Sequence, residues 1–252
     1  MCLILFAWQA HPRYPLVVAA NRDEFHDRPT AAAAFWEEAP DILAGRDLQA
    51  GGTWLGVSKS GRFAAISNYR EPMYKASDPE YSRGHLVRDF LLDDSAPESY
   101  AERLQTRGCF YGGFNILIGD TKSLFYVSNR KATPATVNPG CHGLSNHLLN
   151  TDWPKVSRGR DLLGSILKDK QVNPETLLEM LADRSTRSAA RLSLEDLRSE
   201  PERMNDRIFV DSPVYGTRSS TVFLVDHDGR MTFAERQFDA LGNSSPPRMY
   251  AL

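Results

Sequence analysis

Residues 2–28 read CLILFAWQAHPRYPLVVAANRDEFHDR. Two apolar runs, at 2–8 and 15–20, flank the turn-forming QAHPRY. Each run is short and rich in branched residues, so the pair reads as a β-hairpin rather than as helix. The open ends of a hairpin meet. Cys2 is therefore expected beside the end of the second run, where Asn21, Arg22, Asp23 and Glu24 follow.

Cysteine next to the initiator methionine has a specific chemical meaning. Methionine trimming favours a small second residue, and the trimmed chain would carry a thiol and an α-amino group on one residue. Their reference pKa values, about 8.5 and about 7.7–8.0, are close enough for proton exchange at neutral pH. A guanidinium at Arg22 would favour the thiolate, and the Asp23 carboxylate would hold the amine. The alternative is a small buried cysteine at a strand start followed by a solvated turn.

Further along, GGTWLGVS (51–58) and RFAAISNY (62–69) flank KSG, a second hairpin turned at Gly61. SRGHLVRDFLLD (82–93) spaces Arg83, Leu86 and Phe90 as a helix, with Ser82 as its expected cap. GFNILIGD (113–120) and SLFYVSN (123–129) read as paired strands, and GCHGLSN (140–146) as a short apolar turn. Helical periodicity runs from Pro154 to about Arg198, clearest in RDLLGSILKD (160–169) and ETLLEMLAD (175–183). LRSEPERMNDRI (197–208) reads as loop, residues 220–238 as a hairpin turned at Asp228-Gly229, and GNSSPPRMY (242–250) as a poorly ordered tail. Blocks of strands alternating with blocks of helices predict an α+β protein with antiparallel sheets, and no linker divides residues 1–252 into separate domains.

Composition narrows the function classes. The net charge of −2, with 41% hydrophobic and 25% charged residues, argues against nucleic acid or an anionic membrane as partner. Three cysteines, Cys2, Cys109 and Cys141, leave at least one unpaired, which fits a reducing compartment; the expected location is the cytoplasm. The opening apolar run lacks a basic region before it, and no stretch approaches the roughly 20 apolar residues of a membrane-spanning helix. The six histidines show no zinc-site spacing, and GGTWLG lacks the Lys-Ser/Thr of a phosphate loop, so neither a metal nor a nucleotide is expected. Side-chain amides at strand ends can stabilise an oxyanion, which makes Asn68 and Asn146 candidates; each also suits a turn or a strand cap. Arg218, ahead of the last long strand, adds a possible positive charge.

The segments MCLILFAW, AANRDEF, GGTWLGVSKSGRFAAISNYRE, SRGHLVRDFL, GFNILIGD, HGLSNHLLNTDWPKV and YGTRSSTVFLVD together resemble the NRDE-motif family, also called the transport and Golgi organisation protein 2 family, from residue 2 to about residue 240. That family in turn is similar to cysteine-type N-terminal nucleophile hydrolases, the penicillin V acylase and bile salt hydrolase group. The resemblance implies a four-layer αββα sandwich with two antiparallel sheets between helix layers. It implies Cys2 as nucleophile, Arg22 and Asp23 as its activating neighbours, Asn68 and Asn146 around the oxyanion, and Arg218 as the late arginine. Asn21, Trp54, Tyr69 and His147 are the accompanying ligand-contacting candidates. The pattern departs from those hydrolases in two places: Arg22 and Asp23 are adjacent rather than two residues apart, and Leu148 stands where a proline usually follows.

The expected activity is hydrolysis of a non-peptide amide or acyl bond of a small molecule, without cofactor. The rival expectation is a carrier that uses the same pocket for haem or a fatty acyl-CoA, ligands implied by the eukaryotic relatives' association with haem trafficking and lipid metabolism. Cysteine thiolate can ligate haem iron.

Overall fold

The computed structural model describes residues 2–71, 81–185, 192, 193, 195, 196 and 201–252. In chain order come β1 (Cys2–Trp8), β2 (Leu16–Phe25), β3 (Thr30–Trp36), β4 (Ala39–Asp47), β5 (Leu55–Ser58) and β6 (Phe63–Asn68). Helices α1 (Gly84–Leu92) and α2 (Pro97–Arg107) follow, then β7 (Phe114–Gly119), β8 (Leu124–Ser128), β9 (Ala135–Thr136) and β10 (Gly140–Leu144). The remainder comprises α3 (Pro154–Ile166), α4 (Pro174–Leu181), β11 (Tyr215–Val225), β12 (Met231–Gln237) and β13 (Arg248–Ala251). All strand pairings within the two sheets are antiparallel, and the chain is α+β, as its blocks predicted.

Two compact units each carry one sheet and one pair of helices. The first comprises Met1–Arg28, Pro139–Leu144 and Asn150–Leu252, with strand order β10-β1-β2-β11-β12-β13. One face of this sheet buries Leu3, Leu5, Val17, Ala19 and Val222 against α3 and α4. These residues share a face because directly opposed residues in an antiparallel ladder point the same way: Leu3 opposes Asn21, and Leu5 opposes Ala19. The second unit, Pro29–Asn138 with Ser145–Leu149, has the order β3-β4-β5-β6-β7-β8-β9. Its sheet buries Ala64, Ile66, Phe114 and Ile116 against α1 and α2. Each large apolar side chain removed from water contributes about 1.5–3 kcal/mol, so these interfaces hold each sheet to its helices.

All three expected hairpins form, β11 pairing with β12 across the turn at Asp228-Gly229. Cys2 pairs with Arg22 and Trp8 with Leu16 across β1–β2, while β5 and β6 join through Gly61 at φ 85°, a value glycine adopts without strain. Four expectations need correction. Residues 140–144 are a strand, because the free edge of β1 takes them as a partner from Ile4 to Trp8. Ser82 does not cap α1 with its side chain; Arg83 occupies the cap, and the first amides bond to the carbonyls of Ser82 and Arg83 instead. The helical run expected from Pro154 is interrupted, since α3 ends at Ile166 and α4 begins at Pro174, and part of the stretch to 198 lies outside the described residues. The tail is ordered: β13 pairs with β12, and Tyr250 sets its ring edge-on to Phe233. The loop at 71–81 lies mostly outside the described residues. No helix among the described residues is long and apolar enough to cross a membrane.

Candidate functional site

In the first unit, β2 is flanked by β1 and β11, so Cys2, Arg22 and Ser219 form one row on the face away from the helices. Neighbouring strands stand about 4.8 Å apart, which puts the sulfur-bearing residue next to the arginine and two strands from the serine. On the other side of β1, β10 ends at Leu144 opposite Ile4, two residues short of Cys2. Cys2 is half-buried, whereas Arg22 is 5% and Asp23 3% exposed. The Ser219 hydroxyl is buried and has no hydrogen-bond partner among the described residues.

Asn21 and Asp23 point the opposite way, toward the helices, because strand residues alternate. Asn21 donates both amide hydrogens, at 2.8 Å each, to the carbonyls of Leu181 and Ile208, and accepts the Ser220 hydroxyl at 2.6 Å. Expected as a ligand contact, it is a bracket between β2 and the chain at the end of α4. Asp23 accepts the Thr217 hydroxyl at 2.7 Å, and its carbonyl accepts the Tyr215 hydroxyl at 2.9 Å.

A bulge in β11 shapes this corner. Thr217 opposes Asp23 and Ser219 opposes Arg22, so Arg218 is an extra residue in its strand. Its guanidinium donates to the carbonyls of Phe25, His26 and Arg28 at 2.8, 3.2 and 3.3 Å. The structure thus gives Arg218 the task of holding the chain as it leaves β2. Glu24 sits between Arg22 at 3.6 Å and Arg28 at 3.8 Å.

Arg22 lowers the thiol pKa, as expected, but burial outweighs it. Burial pushes the Cys2 thiol above its ordinary value, and the Asp23 charge pushes the same way; the Asp23 backbone amide bonded to the sulfur and the Arg22 charge oppose this without reversing it. Desolvation wins because the charged form loses its water. Burial likewise raises the Asp23 carboxyl, against Lys155, the Thr217 hydrogen bond and Arg22.

The remaining candidates belong to the second unit. Asn146 donates to the Asn68 carbonyl at 2.9 Å and its own carbonyl accepts the Arg70 amide at 2.8 Å, while Ser67 donates to the Ser145 carbonyl at 2.9 Å. Tyr69 and His147 meet at 3.0 Å between hydroxyl and Nε2. Residues 67–70 and 145–147 are thereby stitched together, which brings Asn68 to Asn146 and Tyr69 to His147. Asn146 is buried and keeps one amide hydrogen uncommitted among the described residues, whereas the Asn68 side chain is exposed. Trp54 packs against the helix-side core, with its ring where a Gly45 side chain would be.

Sequence reasoning overlooked Thr217, Ser219 and Lys155. Lys155 is wholly buried in the first turn of α3. A signal existed: Lys155, Gly159 and Leu163 recur every four residues along the buried stripe of that helix. Among the described residues no group of three or more His, Cys, Asp and Glu is placed to hold a metal ion.

Fold and site define an α+β protein of two antiparallel sheets whose leading strand presents Cys2 against Arg22 and Asp23. The family model described as Transport and Golgi organisation 2 matches residues 1–240. The chain is 37% identical to the Transport and Golgi organization 2 homolog of Mus musculus, over 94% of this chain and 92% of that protein. The Homo sapiens homolog gives the same identity and coverage. A solved Caenorhabditis elegans N-acylethanolamine-hydrolyzing acid amidase ortholog superposes with a TM-score of 0.48 at 11% identity, over 88% of this chain and 92% of that one. The chain belongs to the Transport and Golgi organisation 2 family.

Proposed function

We propose that this protein is a cysteine N-terminal nucleophile hydrolase acting on a non-peptide amide or acyl bond of a small molecule. The observation that carries the reading is the placement of Cys2 at the head of β1, in register with Arg22 and with its sulfur hydrogen-bonded by the Asp23 amide. Burial favours the protonated thiol, so the attack needs a base beside the sulfur. Once Met1 is removed, the α-amino group of Cys2 is that base. It takes the thiol proton as sulfur bonds to the carbonyl carbon, then delivers the proton to the leaving nitrogen or oxygen as that bond breaks. Water, deprotonated by the same amine, cleaves the resulting thioester and returns the thiol.

Intact-mass analysis tests the first requirement, since retained Met1 would turn the base into an amide nitrogen. Labelling by a thiol-directed acyl probe tests the second. Cys2→Ala is expected to abolish labelling, and equal labelling of the variant, at Cys109 or Cys141, would refute the assignment.

A further inference from the structure

Lys155 has its whole side chain withdrawn from solvent, a position that an ammonium tolerates only near compensating charge. Its place follows from the packing of α3. A side chain on Gly143 would strike Val156 and Arg160, and a side chain on Gly159 would strike Leu5, so the helix crosses β1 and β10 at the Leu5–Gly143 pair. Arg160 acts on Cys141, which opposes Ala7, so α3 advances in the same direction as β1. Lys155 lies one turn before Gly159, about 6 Å nearer the Cys2 end, and helical side chains lean further that way. Beneath it the sheet presents Leu3 beside Asn21, then Asp23 two residues on, about 7 Å along the strand and on the same face.

We propose that Lys155 is a positioning residue: its buried ammonium faces Asp23 across the interface between sheet and helix and keeps that carboxylate charged. The α-amino terminus and, from the opposite face, Arg22 also act on Asp23, while the helix-side charges are otherwise engaged. Arg22 and Cys2 lie on the opposite face of the sheet, Arg158 pairs with Asp183 at 2.7 Å, Arg160 faces Cys141, and Arg207 feels Asp206, Asp211 and Asp196. The Lys155 charge holds Asp23 down against burial, which supports this geometry. The consequence for catalysis rests on the hydrolase reading: a charged Asp23 anchors the α-amine of Cys2, and the nearby second cation keeps that amine from holding its proton too tightly.

The test is the pH profile of Cys2 alkylation by iodoacetamide in the full chain, followed by peptide mass spectrometry. The sign of the change is diagnostic. If Lys155 acts through Asp23, Lys155→Met discharges the carboxylate, removes a charge that disfavours thiolate, and moves the midpoint down. The expected shift is about one pH unit, roughly tenfold in alkylation below both midpoints. Asp23→Asn should give a similar profile, the double variant should add little, and Lys155→Arg should retain the wild-type profile. A midpoint that rises or stays unchanged in Lys155→Met overturns the proposal. Should Lys155→Met fail to fold, the double variant with Asp23→Asn decides, because removing both charges restores folding only if each compensates the other. Met1 retention in the same samples would sink the hydrolase reading alone; an unaltered alkylation midpoint would sink the role of Lys155 alone.

Discussion

Replacing Asn21 with alanine separates a structural bracket from a ligand contact. The side chain satisfies two buried carbonyls, those of Leu181 and Ile208, and takes the Ser220 hydroxyl. A buried polar group left without its partner costs about 1–3 kcal/mol, so stripping both carbonyls costs about 2–6 kcal/mol. The Ser220 hydroxyl can rotate toward another acceptor and adds little. Because the two carbonyls belong to one local cluster, their losses are not fully additive, and about 3–4 kcal/mol is the expected sum. For a chain of this size each kcal/mol lowers the melting midpoint by about 2–4 °C, which gives about 6–16 °C. Urea unfolding of wild type and Asn21→Ala measures it. Asn21→Asp should be at least as damaging, since it supplies no donors and aims a carboxylate at two carbonyl oxygens. A loss below about 1 kcal/mol in Asn21→Ala would refute the bracket and return Asn21 to the ligand candidates.

Asp23 has a carboxyl raised by burial, so between its ordinary and its folded value the folded state holds the extra proton and stability falls as pH rises. Asp23→Asn removes this titration, so the stability of the variant relative to wild type should increase as pH rises from about 4 toward 7; melting curves across that range check it, and equal slopes would contradict the shift. Arg218→Ala should leave the sheet intact and cost about 1–2 kcal/mol while speeding hydrogen exchange in the segment at 25–28, because three carbonyls lose their donor. Unchanged exchange there would place the guanidinium's work elsewhere.

Much of the hairpin geometry was legible because local patterns specify it. Two branched apolar runs around a turn bring Cys2 to Arg22 whatever else the chain does, and the register from Cys2 to Trp8 is continuous. The row on the helix-free face could not be read, since Ser219 joins it through β11, nearly two hundred residues away, and only after a bulge shifts the register at Arg218. Reading the residues by type made Asn21 and Arg218 site candidates; pairing and alternation turned one toward α4 and set the other on the carbonyls of 25–28. The sign of the Arg22 effect on the thiol was legible, and its being outweighed by burial was not, for a related reason. A sequence shows that an arginine follows Asn21, and it does not show how much water the sulfur has lost.

The amino-acid order by itself determined the α+β class, the pairing of β1 with β2 and the company of Cys2, because these depend on short-range periodicity and turn chemistry. Only the tertiary structure decided that burial outweighs Arg22 at the sulfur, that Asn21 faces the helices, and that a lysine lies buried over the same face as Asp23. Desolvation and long-range pairing arise from residues far apart in the chain, so they exist only once the sheet and its helices have packed.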